Sequence, residues 1–312
     1  MKVALLAGGT GGTKLAHGFA MLAQDENVDL TVIANVGDDV EMHGLLVCPD
    51  IDAILYTLSG LIDAERGWGL RADTHTAQAM FERLGAPTWF HLGDGDLALH
   101  AHRTHLMRDE GARLTDAVAA IAAALGIGAR ILPSSDDRWR TLLDTDEGPM
   151  EFQEYFVRRR QEPEVRSVRF DGDARPTPEV LAAIGEADLV VLGPSNPIVS
   201  IGPILALPSV REAIMLAEAS SVAVSPIIDG KALKGPADRM LTSLGHESTA
   251  LGVARLYDGL VDRFVVDEAD GGLAPPIEHE TGMAVSVLPT IMRSDDDRAA
   301  LARRLLGTVA TG

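Results

Sequence analysis

One cysteine, Cys48, stands in 312 residues, so no internal disulfide can form and a covalently stapled secreted scaffold is excluded. Basic side chains are also scarce: 27 Lys and Arg face 46 Asp and Glu, for a net charge of −19. A broad nucleic-acid or anionic-membrane footprint needs clustered positive charge, so neither nucleic acid nor membrane is expected as a partner. An anionic substrate must instead be met by local basic groups. No apolar run approaches the ~20 residues of a membrane span, and the amino end reads as a strand rather than a signal peptide. A cytoplasmic protein is expected. Internal repeats, low-complexity tracts and an interdomain linker are missing, as are the G-x-S-x-G elbow and the H-E-x-x-H pattern.

Hydrophobic residues make up 46% of the chain, enough for a substantial core. The opening VALLAGGTGGTKLAHGFAML, residues 3 to 22, joins an apolar strand (Val3 to Ala7) to a helix whose buried face is set by Leu15, Phe19 and Leu22. Four glycines and a threonine fill positions 8 to 12 between them. Neither familiar phosphate motif fits. A P-loop needs a Gly-Lys-Ser/Thr triplet, whereas Gly12 is followed by Thr13, Lys14 and Leu15; a dinucleotide fingerprint begun at Gly9 and Gly11 needs Gly or Ala where Lys14 stands. The physics of such a turn does not depend on either pattern. Gly9, Thr10, Gly11 and Gly12 allow close backbone approach, the first helical turn offers free N–H groups with the positive end of the dipole, and Lys14 adds a full charge. An anion site is expected there, against the plainer reading of a tight packing turn.

Leu30 to Asn35 (LTVIAN) is a second apolar run, and the helix between the two makes a βαβ opening and hence a parallel sheet. Residues 52 to 125 read as mainly helical. From Ala129 (ARILPSSDD) through TLLDT, MEFQEYFV and VRSVRF the chain alternates like strands. Asp188 to Leu192 (DLVVL) and Ser221 to Ser225 (SVAVS) are buried parallel strands ending in loops of ligand-binding character, and RFVVDEAD is a last strand before VSVLPT and the amphipathic tail DDRAALARRLL. These elements predict an α/β fold: a three-layer α/β/α Rossmann-like core with a mainly parallel sheet and a helical insertion at about 52–125, all within one domain spanning 1–312.

Asp38 and Asp39 follow the second strand, with Asp50 beyond them and Asp94 and Asp96 in WFHLGDGDLALH. Carboxylates at strand ends opposite a phosphate loop suit Mg2+, which takes one or two of them plus phosphate oxygens and water. Asp94 and Asp96 read equally as helix N-caps. His100, His102 and His105 are a poor zinc set, because 100 and 102 point to nearly opposite sides of a helix. In GPSNPIVSIGPI, Pro194 and Pro197 fix the backbone while Ser195, Asn196 and Ser200 offer groups able to read a purine edge or a phosphate; the alternative is a rigid structural turn. The run Arg158 to Arg160 reads as solvated surface with a lesser claim on an anion.

GGTGGTKL, NVGDDVEMHGLLVCPDIDAILYTL, RGWGLR, WFHLGDGDLALHAHRT, ILPSSDD, FQEYFVR, GPSNPIVSIGPIL and SPIIDGKALKGPAD together resemble, in order and through nearly the whole chain, the 2-phospho-L-lactate transferase family of coenzyme F-420 biosynthesis, whose bacterial members are often described as phosphoenolpyruvate transferases. The resemblance implies a Mg2+-dependent transfer in which the terminal ribityl hydroxyl of the deazaflavin Fo attacks a guanosine diphosphate adduct of a three-carbon acid and GMP leaves. It implies a homodimer as well. In that scheme Gly9, Thr10, Gly11, Gly12 and Lys14 hold the diphosphate, and Ser195, Asn196 and Ser200 lie on the guanosine side. Asp50, His91 and Trp68 lie on the deazaflavin side, Asp38, Asp39 and Asp94 hold the metal, and Asp50, Asp38 and Asp94 take the catalytic roles. The glycine turn also resembles a sister group of non-enzymatic nucleotide-sugar-binding regulators. Those carry an Asp-Asp-Gly-Gly-Ser-Ser type run where this chain has Asp38-Asp39-Val40-Glu41-Met42-His43-Gly44, which favours the transferase. A dehydrogenase reading fails on the broken dinucleotide fingerprint.

Overall fold

The computed structural model describes residues 1–23 and 26–309. Its centre is a seven-stranded sheet formed by β1 (Lys2–Ala7), β2 (Asp29–Ala34), β3 (Arg130–Pro133), β4 (Leu189–Leu192), β5 (Ser220–Val224), β6 (Arg263–Val266) and β7 (Ala284–Val287). The order is β7-β6-β5-β4-β1-β2-β3 and every neighbouring pair is parallel. Helices cover both faces of such a sheet, so its strands read as unbroken apolar runs. Leu5 of β1, for example, sits in register with Val32 on one side and Val191 on the other, and all three are fully buried. The expected three-layer Rossmann-like core is therefore present, and Ala284–Val287 extends it by a strand.

Connections leave β1 in opposite directions, to β2 and β3 on one side and to β4 onward on the other. In open α/β sheets the crevice outside the carboxyl ends of the strands at such a switch point takes the ligand. Helix α1 (Gly9–Leu22) follows β1 with only Gly8 between them and buries Leu15, Ala16, Phe19 and Leu22. The C-terminal helix, Asp295–Gly307, packs along α1 so tightly that a Cβ on Gly18 would lie 2.3 Å from the carbonyl oxygen of Arg298.

Between β2 and β3 come a short hairpin, Val40–Met42 with Leu45–Val47, and helices α2 (Pro49–Leu58), α3 (Thr76–Arg83), α4 (Asp94–Arg108) and α5 (Leu114–Ala124). Pro49 in its first turn starts α2 ahead of position 52, since a proline there forfeits no helical hydrogen bond. After β3 a separate antiparallel sheet pairs Arg140–Thr145 with Gly148–Glu151 and Val165–Asp171. The expected strand over MEFQEYFV is corrected here: it stops at Glu151, and Glu154–Arg158 forms a turn of π-helix. Phe152, Tyr155 and Phe156 recur at spacings of three and four, which a helical turn can place against one apolar cluster and a strand cannot.

Candidate active site

The glycine turn lies at the switch point and fits its surroundings because Gly8, Gly11 and Gly12 carry no side chains. A Cβ on Gly8 would sit 2.6 Å from Asp50 Oδ2 and 2.9 Å from Ser200 Cβ. One on Gly11 would meet the Pro194 carbonyl oxygen at 2.0 Å, and one on Gly12 the Ser195 Oγ at 2.5 Å. The turn after β1 and the loop after β4 are thus pressed together with α2 against them. Gly9 has φ +60°, a left-handed conformation that glycine adopts without strain. Because α1 begins at Gly9, the N–H groups of Thr10 and Gly11 have no helical carbonyl one turn earlier to receive them, whereas the Gly12 N–H is the first that can bond back to the N-cap carbonyl of Gly8. Gly9, Thr10 and Gly11 are only half-buried, so an anion can reach this positively polarised end.

Asp50, buried in the first turn of α2, is the carboxylate that touches the turn: Oδ1 accepts the Gly9 N–H at 2.6 Å and Oδ2 accepts Asn35 Nδ2 at 2.9 Å. Asn35 is fully buried at the end of β2 and ties three segments together. Its Oδ1 receives the Gly37 N–H at 2.8 Å, and its Nδ2 also donates to the Val199 carbonyl at 3.2 Å. In the sequence Asn35 is only the last residue of an apolar run, and the one signal of its role is a lone amide closing a buried parallel strand. Burial raises the pKa of Asp50, partly offset by the Gly9 N–H and the Asn35 amide. Burial, reinforced by the carboxylate of Asp50, drives Asp38 well above the usual range. Asp39 is pushed up to about 7 by burial, with the Arg140 guanidinium acting in the opposite direction. Both Asp38 Oδ1 and Asp39 Oδ1 are buried without a hydrogen-bond partner.

Ser195 Oγ receives the Gly8 N–H at 3.4 Å, and Ser200 packs against Gly8. Asn196 holds its own turn, its Oδ1 accepting from the Ile198 and Val199 N–H groups at 2.9 and 3.4 Å. Lys14 Nζ donates to the Met292 carbonyl at 2.9 Å, and burial lowers its pKa, with Arg298 and Lys234 adding to the effect. Asp94 accepts from Thr74 Oγ1 at 2.6 Å and from the Ala77 and Thr76 N–H groups at 2.9 and 3.1 Å, the contacts that hold its pKa at about 2. It caps α3, and none of its hydrogen bonds runs to Asp38, Asp39 or Asp50. His91 is exposed and meets His75 edge to face with ring centroids 6.1 Å apart. Trp68 is half exposed beneath the Arg66 guanidinium, 5.6 Å from its ring centroid.

His100 is buried against Asp52, Nε2 to Oδ2 at 3.0 Å, whereas His105 lies on the surface with Asp109 and Glu110. Asp52 also forms an ion pair with the fully buried Arg103, whose Nη1 reaches the Leu46 carbonyl at 3.2 Å. Sequence separations of about fifty residues leave no periodic trace of this triad in the chain. Among the described residues no three His, Cys, Asp or Glu side chains converge into a metal cage. Mg2+ does not need one. Two unpartnered carboxylate oxygens beside an anion cradle match its habit of drawing remaining ligands from substrate phosphate and water.

A parallel sheet whose switch point is occupied by a glycine turn, a second loop and a buried carboxylate defines a Rossmann-type α/β protein with the geometry for an anionic ligand. The chain belongs to the family described as 2-phospho-L-lactate transferase CofD, whose model matches residues 3–282. It is 42% identical to a phosphoenolpyruvate transferase of Streptomyces griseus over 98% of both chains. It is 38% identical to a 2-phospho-L-lactate transferase of Methanopyrus kandleri over 99% of this chain and 98% of that one. A solved Bacillus halodurans protein of the upf0052 family shares the fold at 18% identity, with a TM-score of 0.65 over 97% of this chain and 98% of that one.

Proposed function

We propose that the protein transfers a phospholactyl or phosphoenolpyruvyl group from its guanosine diphosphate adduct to the ribityl hydroxyl of Fo, releasing GMP. Membership in the transferase family supports the reaction class. The observation that carries the site assignment is the Gly9 to Asp50 hydrogen bond, which puts a buried carboxylate directly beside the anion cradle.

In this reading the diphosphate lies on the free N–H groups of Thr10 and Gly11, Gly12 lets the loop after β4 approach the turn, and Lys14 adds charge from the next turn of α1. Ser195 and Ser200 border the same cradle on the guanosine side. Asp50 faces the incoming hydroxyl and orients it or accepts its proton, a task suited to a carboxylate with a raised pKa. His91 and Trp68 form the outer, deazaflavin side. Mg2+ would be held by Asp38 and Asp39 through their unpartnered Oδ1 atoms, and when bound it offsets charge developing on the leaving GMP. Asp94, already committed to capping α3, contributes through the fold. Since the acid-bearing phosphate changes partner directly, positioning and electrostatics suffice and no covalent enzyme intermediate is invoked.

We further propose a cytoplasmic homodimer; no helix among the described residues is long and apolar enough to cross a membrane. The deciding experiment incubates purified protein with Mg2+, Fo and each guanosine adduct in turn, and weighs the products. A phosphodiester of Fo with stoichiometric GMP is expected. Unmodified Fo with both donors, as a nucleotide-sugar sensor would leave it, overturns the assignment.

A further inference from the structure

The stretch SPIIDGKALKGPAD leaves the carboxyl end of β5, the edge of the sheet at which the glycine turn also lies. It turns at Asp229 and Gly230 between the paired segments Ile227–Ile228 and Lys231–Ala232, then runs to the helix Ala237–Ser243. Met240 of that helix receives Asn196 Nδ2 at its Sδ, 3.7 Å away, which fastens the segment to the loop after β4. Lys234 stands in the connection with its side chain exposed. Its ammonium reaches across to the RGWGLR turn: a Cβ on Gly67 would lie 2.7 Å from Lys234 Nζ, so the ammonium occupies space that only a glycine leaves. Gly67 immediately precedes Trp68.

Lys2, Lys14, Lys231 and Lys234 are the only lysines of the chain, and the fold brings Lys14 and Lys234 into one neighbourhood. The charge of Lys234, with that of Arg298, adds to the burial that lowers the Lys14 pKa. Neither ammonium is paired with a carboxylate. Lys14 Nζ donates to the Met292 carbonyl, and Lys234 Nζ has no hydrogen-bond or ion-pair partner among the described residues. Arg298, by contrast, is paired with Asp295 at 2.9 Å. Acidic residues outnumber basic ones 46 to 27, so counter-ions are plentiful, and two neighbouring cations left without one repel each other with no gain to the fold. An anion drawn between them reverses the sign of that interaction.

The donor of the proposed reaction carries a diphosphate and a carboxylate. The Thr10 and Gly11 N–H groups and Lys14 serve the diphosphate, which leaves the carboxylate of the three-carbon acid without a partner. That acid hangs from the phosphate that changes partner, so it lies between the guanosine side, bordered by the loop after β4, and the deazaflavin side, where Trp68 stands. Lys234 joins these two borders, one through the helix Ala237–Ser243 and the other through Gly67. We infer that Lys234 binds the carboxylate of the three-carbon acid and is the residue by which the protein tells the acid-bearing adduct from a plain guanosine nucleotide. The inference rests on the transfer reading for the identity of the ligand, and it adds to that reading a specificity residue from the loop after β5.

The test is calorimetric binding of each guanosine diphosphate adduct and of GDP, without Fo so that no turnover occurs, to the wild-type protein, Lys234→Gln and Lys234→Arg. K234Q is expected to weaken adduct binding by roughly 10-fold, the lower end for a hydrogen bond between charged groups, and GDP binding by less than about twofold, as for an exposed charge that makes no contact. K234R keeps the charge and offers the carboxylate a fork of donors, so it should bind the adduct within about threefold of wild type. In turnover, K234Q should raise the KM of the donor and leave that of Fo unchanged. Lys234 is exposed and unpartnered, so all three proteins should melt together. Unchanged adduct affinity in K234Q, equal weakening of adduct and GDP, or failure of arginine to restore adduct binding would each overturn the inference. The two readings separate cleanly. Product formation by wild type with an adduct affinity unaltered in K234Q removes only Lys234, whereas absence of product with a selective loss of adduct binding removes the transferase reaction and keeps the carboxylate site.

Discussion

The Gly9 N–H and the Asp50 carboxylate meet at 2.6 Å, joining the first turn of α1 to the first turn of α2 across the switch point. One contact thereby fixes both the cradle and the group beside it. Asp50→Asn keeps the size and removes the charge, but it also replaces one of two acceptor oxygens by an NH2 that faces a donor, so the fold should survive with some loss of stability while the acceptor hydroxyl loses its orienting base. Loss of such a group typically costs 10²–10⁴-fold in rate. We expect kcat for Fo modification to fall by about that factor, with GDP affinity within a few-fold of wild type. Undiminished turnover by D50N would remove Asp50 from the mechanism.

A second expectation concerns the glycines. Gly11→Ala would drive a Cβ to 2.0 Å from the Pro194 carbonyl oxygen, a backbone atom that cannot swing aside. Either the loop after β4 separates from the turn or α1 shifts. Both outcomes open the cradle, so GDP binding measured by calorimetry should be lost along with several degrees of Tm. Gly128→Ala, where an added Cβ meets nothing within 4 Å, serves as the control.

Acid–base behaviour supplies a third test, with a sign opposite to that of an ordinary surface carboxylate. Burial raises Asp39 from an ordinary value near 4 to about 7, so the folded protein binds a proton that the unfolded chain releases. The stability contributed by the protonated form is fully present below the unfolded pKa and is lost as pH rises through the folded one. In chelator, thermal melts should therefore decline between roughly pH 4 and 7, and Asp39→Asn should make that decline shallower, buried Asp38 and Asp50 supplying the rest. A divalent cation should oppose the loss at the upper end by stabilising the ionised form. Identical pH profiles for wild type and D39N would contradict the burial argument.

Much of this framework is legible in the chain, and the limits of legibility have physical causes. Strands such as LLA of β1 and LVVL of β4 are buried on both faces and read as apolar runs with no competing interpretation. The glycine turn shows itself because so many small residues in sequence have few structural uses. Asp50 drew attention as a carboxylate past a strand end, but its partner Asn35 did not, since one amide has no period. Asp94 is ambiguous for a related reason: Asp after Gly at a helix start suits a metal as well as a cap. Only the three-dimensional position of Thr74, Thr76 and Ala77 shows where its oxygens go. The π-helical turn at Glu154–Arg158 was hidden by strand-like composition, because aromatic residues fit either element until the cluster that receives them is known.

The different roles of the acidic residues lead to a fourth expectation. Asp94 is half-buried and engaged in capping, whereas Asp39 is buried with a free oxygen. Asp94→Asn should leave Mn2+ affinity unchanged and loosen α3, visible as faster amide exchange over Thr76–Arg83. D39N should instead weaken Mn2+ without altering that exchange. A metal role for Asp94 would reverse the first of these results.

The last expectation comes from the far side of α2. Two residues after Asp50, Asp52 pairs with the wholly buried Arg103 and with His100 while also receiving the Cys48 N–H at 3.2 Å. Burial alone would raise the pKa of Asp52, but the Arg103 guanidinium and His100 reverse the effect and hold it below its usual value. Helix α2 is consequently held from two directions, by the cradle through Asp50 and by α4 through Asp52. Removing one partner of a buried ion pair leaves an uncompensated charge, at a cost of about 3–5 kcal/mol. Arg103→Met should lose stability on that scale in denaturant titrations. Arg103→Lys should retain more of it while losing the second arm of the fork that reaches the Leu46 carbonyl. If the strut also places Asp50, R103K will lower kcat more than it raises the KM of either substrate, and the Gly9 amide proton will move upfield as its short hydrogen bond lengthens. A stability loss with both kcat and the Gly9 resonance unchanged would confine Arg103 to holding the fold.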